Sequence, residues 1–257
     1  SISQPGSHRR ATADVTAVPI HDRHVARKRF GQNFLVDAHY IARIVAAIDP
    51  RPGDAIVEIG PGLAALTGRL IGGAGSITAV EIDRDLAARL RADFAPEALR
   101  LIVADALEFD FASLGPRLRI VGNLPYNISS PLLFHLAQFE TRLTDLHVML
   151  QRDVVARMTA APATADYGRL SVMLQSTFAV TRLFTVPGGA FRPAPKVESA
   201  VARLVPLGTA KPAIADRTVF ARVVGAAFSQ RRKTLRNALS AVCDAGAIEA
   251  AGIDPRA

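Results

Sequence analysis

From Asp37 to about residue 158 the chain repeats one unit, a short apolar run followed by a turn and a stretch with helical periodicity. Ile41, Ile44, Val45 and Ile48 fall at i, i+3, i+4 and i+7 and make one helical face, closed by Asp49-Pro50. Ala55-Ile56-Val57-Glu58-Ile59 then reads as a buried strand, which meets Gly60-Pro61-Gly62 and a helical stretch through Leu70. Strand patterns over 76–81, 99–103, 118–122 and 145–150 alternate with helical ones over 84–94, over 131–138 and from 152. Elements of these lengths in this order predict a parallel, doubly wound α/β sheet. In such sheets ligands sit beyond the carboxyl ends of the strands.

Later the alternation stops. Residues 168–186 read as two strands, 191–205 are punctuated by proline, and 217–243 read as two basic helices. The expected division is a disordered arm over 1–24, an α/β domain over 25–185 and a small, mostly helical domain over 186–257. With 49% hydrophobic and 21% charged residues, the chain can bury enough apolar surface to offset its ordering entropy, which excludes a mainly disordered protein. No stretch approaches the roughly 18 uncharged apolar residues of a membrane span, and no apolar signal core is present, so the expectation is a soluble cytoplasmic protein. Cys243, the single cysteine, cannot form an internal disulfide and is read as a small buried hydrophobe. His39, His135 and His147 lack metal-ligand spacing, and no metal is expected.

Charge is unevenly placed. Residues 1–36 carry six basic and two acidic side chains, 37–179 thirteen and sixteen, and 180–257 twelve and five, giving +4, −3 and +7. A slightly acidic body between basic ends suits small-molecule chemistry in the middle with polyanion contact at the flanks; plain solubility is the competing reading.

Three successive strand ends carry the groups a nucleotide-type cofactor needs. Gly60-Pro61-Gly62-Leu63-Ala64-Ala65 fits G-x-G-x-x-A between a strand and a helix, where glycines let main chain approach a ligand. Glu81 ends the next strand, placed to accept from ribose hydroxyls, and Asp105 follows the third, placed to accept from an adenine amino group. Each alone is also a common turn or cap, and the set does not separate NAD from S-adenosylmethionine. Asn123-Leu124-Pro125-Tyr126, at the end of the fourth strand, is more specific. The lone pair of an exocyclic amine is delocalised into its ring, so acceptors must hold its N–H bonds before it can attack a methyl group. The Asn123 side-chain oxygen and Leu124 carbonyl can do so, Pro125 fixes the turn and Tyr126 offers a stacking face. A proline-kinked turn with a core tyrosine would leave the asparagine unexplained.

With these residues the chain resembles the KsgA family of ribosomal small-subunit RNA adenine dimethyltransferases, related to the Erm methyltransferases and the mitochondrial transcription-factor branch. The likeness runs from about Arg27 to Pro255 and rests on RKRFGQNFL (27–35), VEIGPG (57–62), NLPYNISS (123–130), YGRLSV (167–172), FRPAPKV (191–197) and RRKTLRN (231–237). It implies a Rossmann-like class I methyltransferase sheet with a small, mostly helical C-terminal domain. It further implies that Asn33, Leu35, Gly60, Glu81, Asp105 and Asn123 bind S-adenosylmethionine, with Gln32 closing over its methionine end and Gly62 in the turn. Asn123 and Leu124 would receive the target amine, and Tyr126 and Phe191 would sandwich the base. Arg27, Lys28 and Arg29, with Arg231, Arg232, Lys233 and Arg236, suit RNA phosphates. Many relatives have glycine where Ala64 stands, and relatives generally continue past Gly252-Ile253-Asp254-Pro255.

The activity the resemblance implies is N6,N6-dimethylation of two adjacent adenosines in the 3′-terminal hairpin loop of 16S rRNA, on an immature 30S subunit; a monomer without a metal is expected. A flipped base is cheapest to extract from such a loop. Alternatives are an assembly factor whose methylation is incidental, and an adenine methyltransferase acting on 23S rRNA or DNA. An NAD oxidoreductase is disfavoured because no residue pair suggests hydride and proton transfer.

Overall fold

The computed structural model describes residues 32–230 and 233–256. The arm expected over 1–24, the Arg27-Lys28-Arg29 cluster, and Arg231 with Arg232 lie outside the described residues.

The first described helix, α1 (Ala38–Ile48), starts where Asp37 accepts hydrogen bonds from the His39 and Tyr40 amides, and buries Ile41, Ile44 and Ile48. Strand β2 (Ala55–Ile59) and helix α2 (Thr67–Ala74) follow, then β3 (Ile77–Glu81), α3 (Arg84–Asp93) and β4 (Leu99–Val103). Next come β5 (Leu118–Asn123), α4 (Ser129–Ala137), β6 (Leu143–Gln151) and α5 (Arg152–Thr159). These elements agree with the alternation read from the sequence. The strands β4, β3, β2, β5 and β6 are parallel neighbours in that order. The chain lays strands outward from β2 through β4, then returns to the other side with β5. The switch point therefore lies between β2 and β5, where Ile59 pairs with Gly122.

Side chains alternate across the sheet. Val57, Ile120 and Val148 face one apolar cluster with Leu132, Leu136 and Val155; Ile56, Val121 and Met149 face another with Ile44, Ile48 and Leu70. Fully burying each such side chain contributes about 1.5–3 kcal/mol.

Beyond α5 the sequence reading needs correction. The first of the two strands expected over 168–186 is a helix, α6 (Arg169–Gln175); the second is β7 (Phe178–Val186). The Ser171 hydroxyl accepts from the Gly168 amide at 3.0 Å and donates to the Arg157 carbonyl at 2.6 Å, fixing the helix start on α5. The sheet also continues past residue 185. Strand β9 (Ser199–Pro206) inserts antiparallel between β6 and β7, so the expected boundary at 185/186 falls inside β7, and β7 and β9 belong to one sheet. Between them β8 (Phe191–Arg192) pairs antiparallel with β1 (Phe34–Leu35).

Helices α7 (Arg217–Ala227), α8 (Leu235–Leu239) and α9 (Ala245–Ala250) form the remainder. α7 packs on α6 and α8, and Phe228 meets Tyr167 edge-on at 5.9 Å. Cys243 is half-buried, more open than expected. No described helix is long and apolar enough to cross a membrane.

Candidate active site

The carboxyl ends of β2, β3, β4 and β5 converge on a cavity of about 230 Å³. Of the residues singled out in the sequence, Gln32, Asn33, Leu35, Gly60, Gly62, Glu81, Asp105, Asn123, Leu124 and Tyr126 all line it.

Its floor is the turn after β2. Gly60 and Gly62 have φ of 65° and 59°, and Ala64 follows at 64°, a left-handed region that costs a residue with a Cβ. A Cβ on Gly60 would meet no atom within 4 Å, whereas one on Gly62 would stand 3.2 Å from the Phe34 ring. The floor is thus main chain open to a ligand at one glycine and roofed by an aromatic ring at the other.

Glu81 is 4% exposed. Its Oε2 accepts from the Gly62 amide at 3.3 Å and its Oε1 from the Asp83 amide at 2.9 Å. Burial raises its pKa above the usual carboxylate range, opposed by those two N–H groups. The carboxylate is therefore fixed in place while its remaining lone pairs can accept. Asp105, after β4, accepts from the Leu107 amide through Oδ1 at 2.9 Å. Asp83 caps α3 and lies 3.4 Å through Oδ2 from Gln32 Nε2.

At the end of β5, the Asn123 side-chain amide donates to the Asn33 carbonyl at 2.9 Å. This fixes which end of the amide is which and leaves Oδ1 to accept. Leu124 buries its side chain at 1% exposure while its amide donates to the Met149 carbonyl at 3.1 Å. Tyr126 is half-buried, and its phenol is 2.7 Å from the Ser199 hydroxyl.

Phe191, expected to sandwich a base with Tyr126, does not line the cavity. Its ring is 2% exposed, buried in the cluster that holds Leu35, Ala190 and Val201, because pairing of β8 with β1 turns it into the core. Lys233 and Arg236 are exposed and lie away from the cavity lining. Among the described residues, no group of three or more His, Cys, Asp or Glu side chains is arranged to hold a metal ion.

Sequence reasoning missed Glu58. It lines the cavity at 3% exposure and accepts from the Thr67 hydroxyl at 2.7 Å. Burial pushes its pKa up to about 7, the Thr67 hydrogen bond pulls it down, and the Glu81 carboxylate adds to the rise. The available signal was a lone carboxylate inside an otherwise apolar strand. Ser199 gave none, since it reaches Tyr126 only through the fold.

The switch-point cavity and the mixed sheet with its antiparallel final strands define a Rossmann-like class I methyltransferase. A model of the ribosomal RNA adenine dimethylase family matches residues 23–257. The ribosomal RNA small subunit methyltransferase A of Thiobacillus denitrificans is 60% identical over 90% of this chain and 91% of its own, and that of Aromatoleum aromaticum is 58% identical over 90% and 88%. A dimethyladenosine transferase from Plasmodium falciparum superposes with a TM-score of 0.71 at 26% identity, covering 84% of this chain and 78% of its own. The 23S rRNA methyltransferase ErmE gives 0.62 at 26% identity, covering 88% and 92%. The chain belongs to the ribosomal RNA adenine dimethylase family and is an rRNA adenine dimethyltransferase with S-adenosylmethionine as its methyl donor.

Proposed function

We propose that the chain places two methyl groups on N6 of each of two adjacent adenosines in the 3′-terminal hairpin loop of 16S rRNA, on an immature small subunit. The observation that carries this is the Asn123 amide, locked by its donation to the Asn33 carbonyl so that Oδ1 can only accept, at the rim of the cavity.

The cavity's residues fit S-adenosylmethionine. Glu81, held by two amides, accepts from the ribose hydroxyls, and Asp105 accepts from the adenine amine with the oxygen its turn leaves over. Main chain at Gly60, open to a ligand, would hold the methionine portion, with Asn33, Leu35 and Gln32 lining the same cavity. When bound, S-adenosylmethionine supplies an electrophilic sulfonium methyl. The rest is done by protein groups. Asn123 Oδ1 and the Leu124 carbonyl accept the two N–H bonds of the target amine, draw its lone pair out of the ring, and stabilise positive charge as it develops. Tyr126 stacks on the base and keeps the amine in line with the methyl group. No side chain need act as a base, because the alkylated ammonium is acidic and loses its proton to water.

Exposed Lys233 and Arg236 support contact with RNA phosphates. The test is transfer of labelled methyl groups onto small subunits lacking the modification, followed by mapping of the labelled bases. Asn123→Ala is expected to lower turnover at least about 100-fold while leaving the fold intact. Label confined to large-subunit RNA or DNA, or undiminished turnover by that variant, sinks the reading.

A further inference from the structure

Ser199 is the first residue of β9 and is fully buried. Its main chain is held on both sides, in register with Gln151 of β6 and Val186 of β7. A hydroxyl in such a place is costly unless it is bonded, and its partner is the phenol of Tyr126 at 2.7 Å. Tyr126 sits on different ground. It belongs to the turn between β5 and α4, whose main chain is pinned nearby by the Ile128 amide and the Ser129 hydroxyl, both donating to the Pro125 carbonyl at 3.2 and 3.0 Å. Neither contact touches the tyrosine ring, whose far end is bonded to Ser199.

We propose that Ser199 is a positioning residue for the target base, holding the Tyr126 ring in the orientation on which the adenine stacks. The anchor is rigid because it lies inside three paired strands, and it acts at the end of the ring farthest from the main chain, where small rotations produce the largest displacement. A ring already held loses less side-chain freedom when a base lands on it, so more of the stacking energy remains for pulling the adenosine out of its RNA. The amine then arrives at Asn123 Oδ1 and the Leu124 carbonyl in one orientation. This inference rests on the function proposed above.

The test compares Ser199→Ala, Tyr126→Phe and the double variant, each removing one or both halves of the same hydrogen bond while keeping the ring. Each single variant is expected to lower kcat/KM for unmodified small subunits about fivefold, the worth of one hydrogen bond, and the double variant to lose no more than either. Affinity for S-adenosylmethionine, measured by calorimetry, stays within about twofold of the parent, since the two oxygens bond each other and the ring is retained in both variants. Wild-type turnover by Ser199→Ala, or losses that multiply in the double variant, overturns the inference. Cofactor affinity falling in step with turnover also overturns it, because the bond would then merely support the fold. Asn123→Ala is run alongside: if it turns over normally, the functional reading itself has failed, whatever Ser199 does.

Discussion

Asn123 and Asn33, ninety residues apart in the chain, are joined by a 2.9 Å hydrogen bond from the side-chain amide of one to the main-chain carbonyl of the other. The bond ties the stretch leading into β1 to the end of β5, so the segment on one side of the cavity sets the orientation of the side chain on the other. A shift at Asn33 therefore alters what Asn123 presents to the cavity.

Gly122 prepares that arrangement. A Cβ there would stand 2.7 Å from Leu124 Cδ2 and 2.9 Å from the Ile59 carbonyl, and the latter is main chain of β2 that cannot rotate away. Gly122→Ala is expected to destabilise the protein by about 1–3 kcal/mol and to weaken S-adenosylmethionine binding, because β2 and β5 separate where both carry site residues. Urea unfolding with cofactor titration checks both; an unchanged midpoint and affinity would show that the strands tolerate the methyl group.

Ala64 presents the converse case. Its φ of 64° is strained for alanine by about 1–2 kcal/mol, and glycine would relieve that while adding about 0.4–1 kcal/mol of unfolded-chain entropy. Ala64→Gly should therefore raise stability slightly, by about 0.5–1 kcal/mol, with methyl transfer preserved. A lowered melting temperature would contradict the strain.

Glu58 makes stability depend on pH. Its folded pKa of about 7 lies above its ordinary value of 4.5, so the folded state holds a proton that the unfolded chain releases. Stability from this group is fully present below about pH 4.5 and is lost as pH rises through 7. Glu58→Gln keeps an acceptor for Thr67 without the charge. It should match the parent near pH 4.5 and exceed it by up to about 3 kcal/mol at pH 8. Equal unfolding midpoints at pH 8 would refute the assignment.

At the opposite end of the sheet Arg119 joins Asp145 at 3.0 Å, Asp54 at 2.6 Å and the Ile48 carbonyl at the end of α1 at 2.6 Å. The Asp145 side chain is 2% exposed, with Arg203 as a second partner at 3.2 Å. Arg119→Leu should cost about 3 kcal/mol, the lower end of the range for a broken buried pair, because Arg203 remains. Adding Asp145→Asn should recover part of it. Cofactor affinity is read in the same samples and should not change, since the network stands at the amino ends of the strands.

The sequence is most legible where one periodicity dominates. β2 through α5 are visible because each strand is a short buried run and each helix has one apolar face. α6 is hidden because Leu170, Val172 and Leu174 recur at every second position, the signature of a strand; the contacts of Ser171 and Gln175 with α5, made only in the fold, go with the helix. In the site, Gly60, Glu81, Asp105 and Asn123 are legible because their chemistry depends on strand ends, which the alternation already locates. Ser199 and the buried position of Phe191 depend on β9 and β8 folding back onto β6 and β1, and no local pattern encodes a return of that kind.

That return also sets an order of events during synthesis. A nascent chain emerging up to residue 186 possesses the glycine turn, both acidic side chains and the asparagine motif, yet β1 has no partner and the phenol has no tether. Phe34 and Leu35, which line the hollow, gain their strand partner only when translation delivers the Phe191 segment, so shorter translation products lack that support.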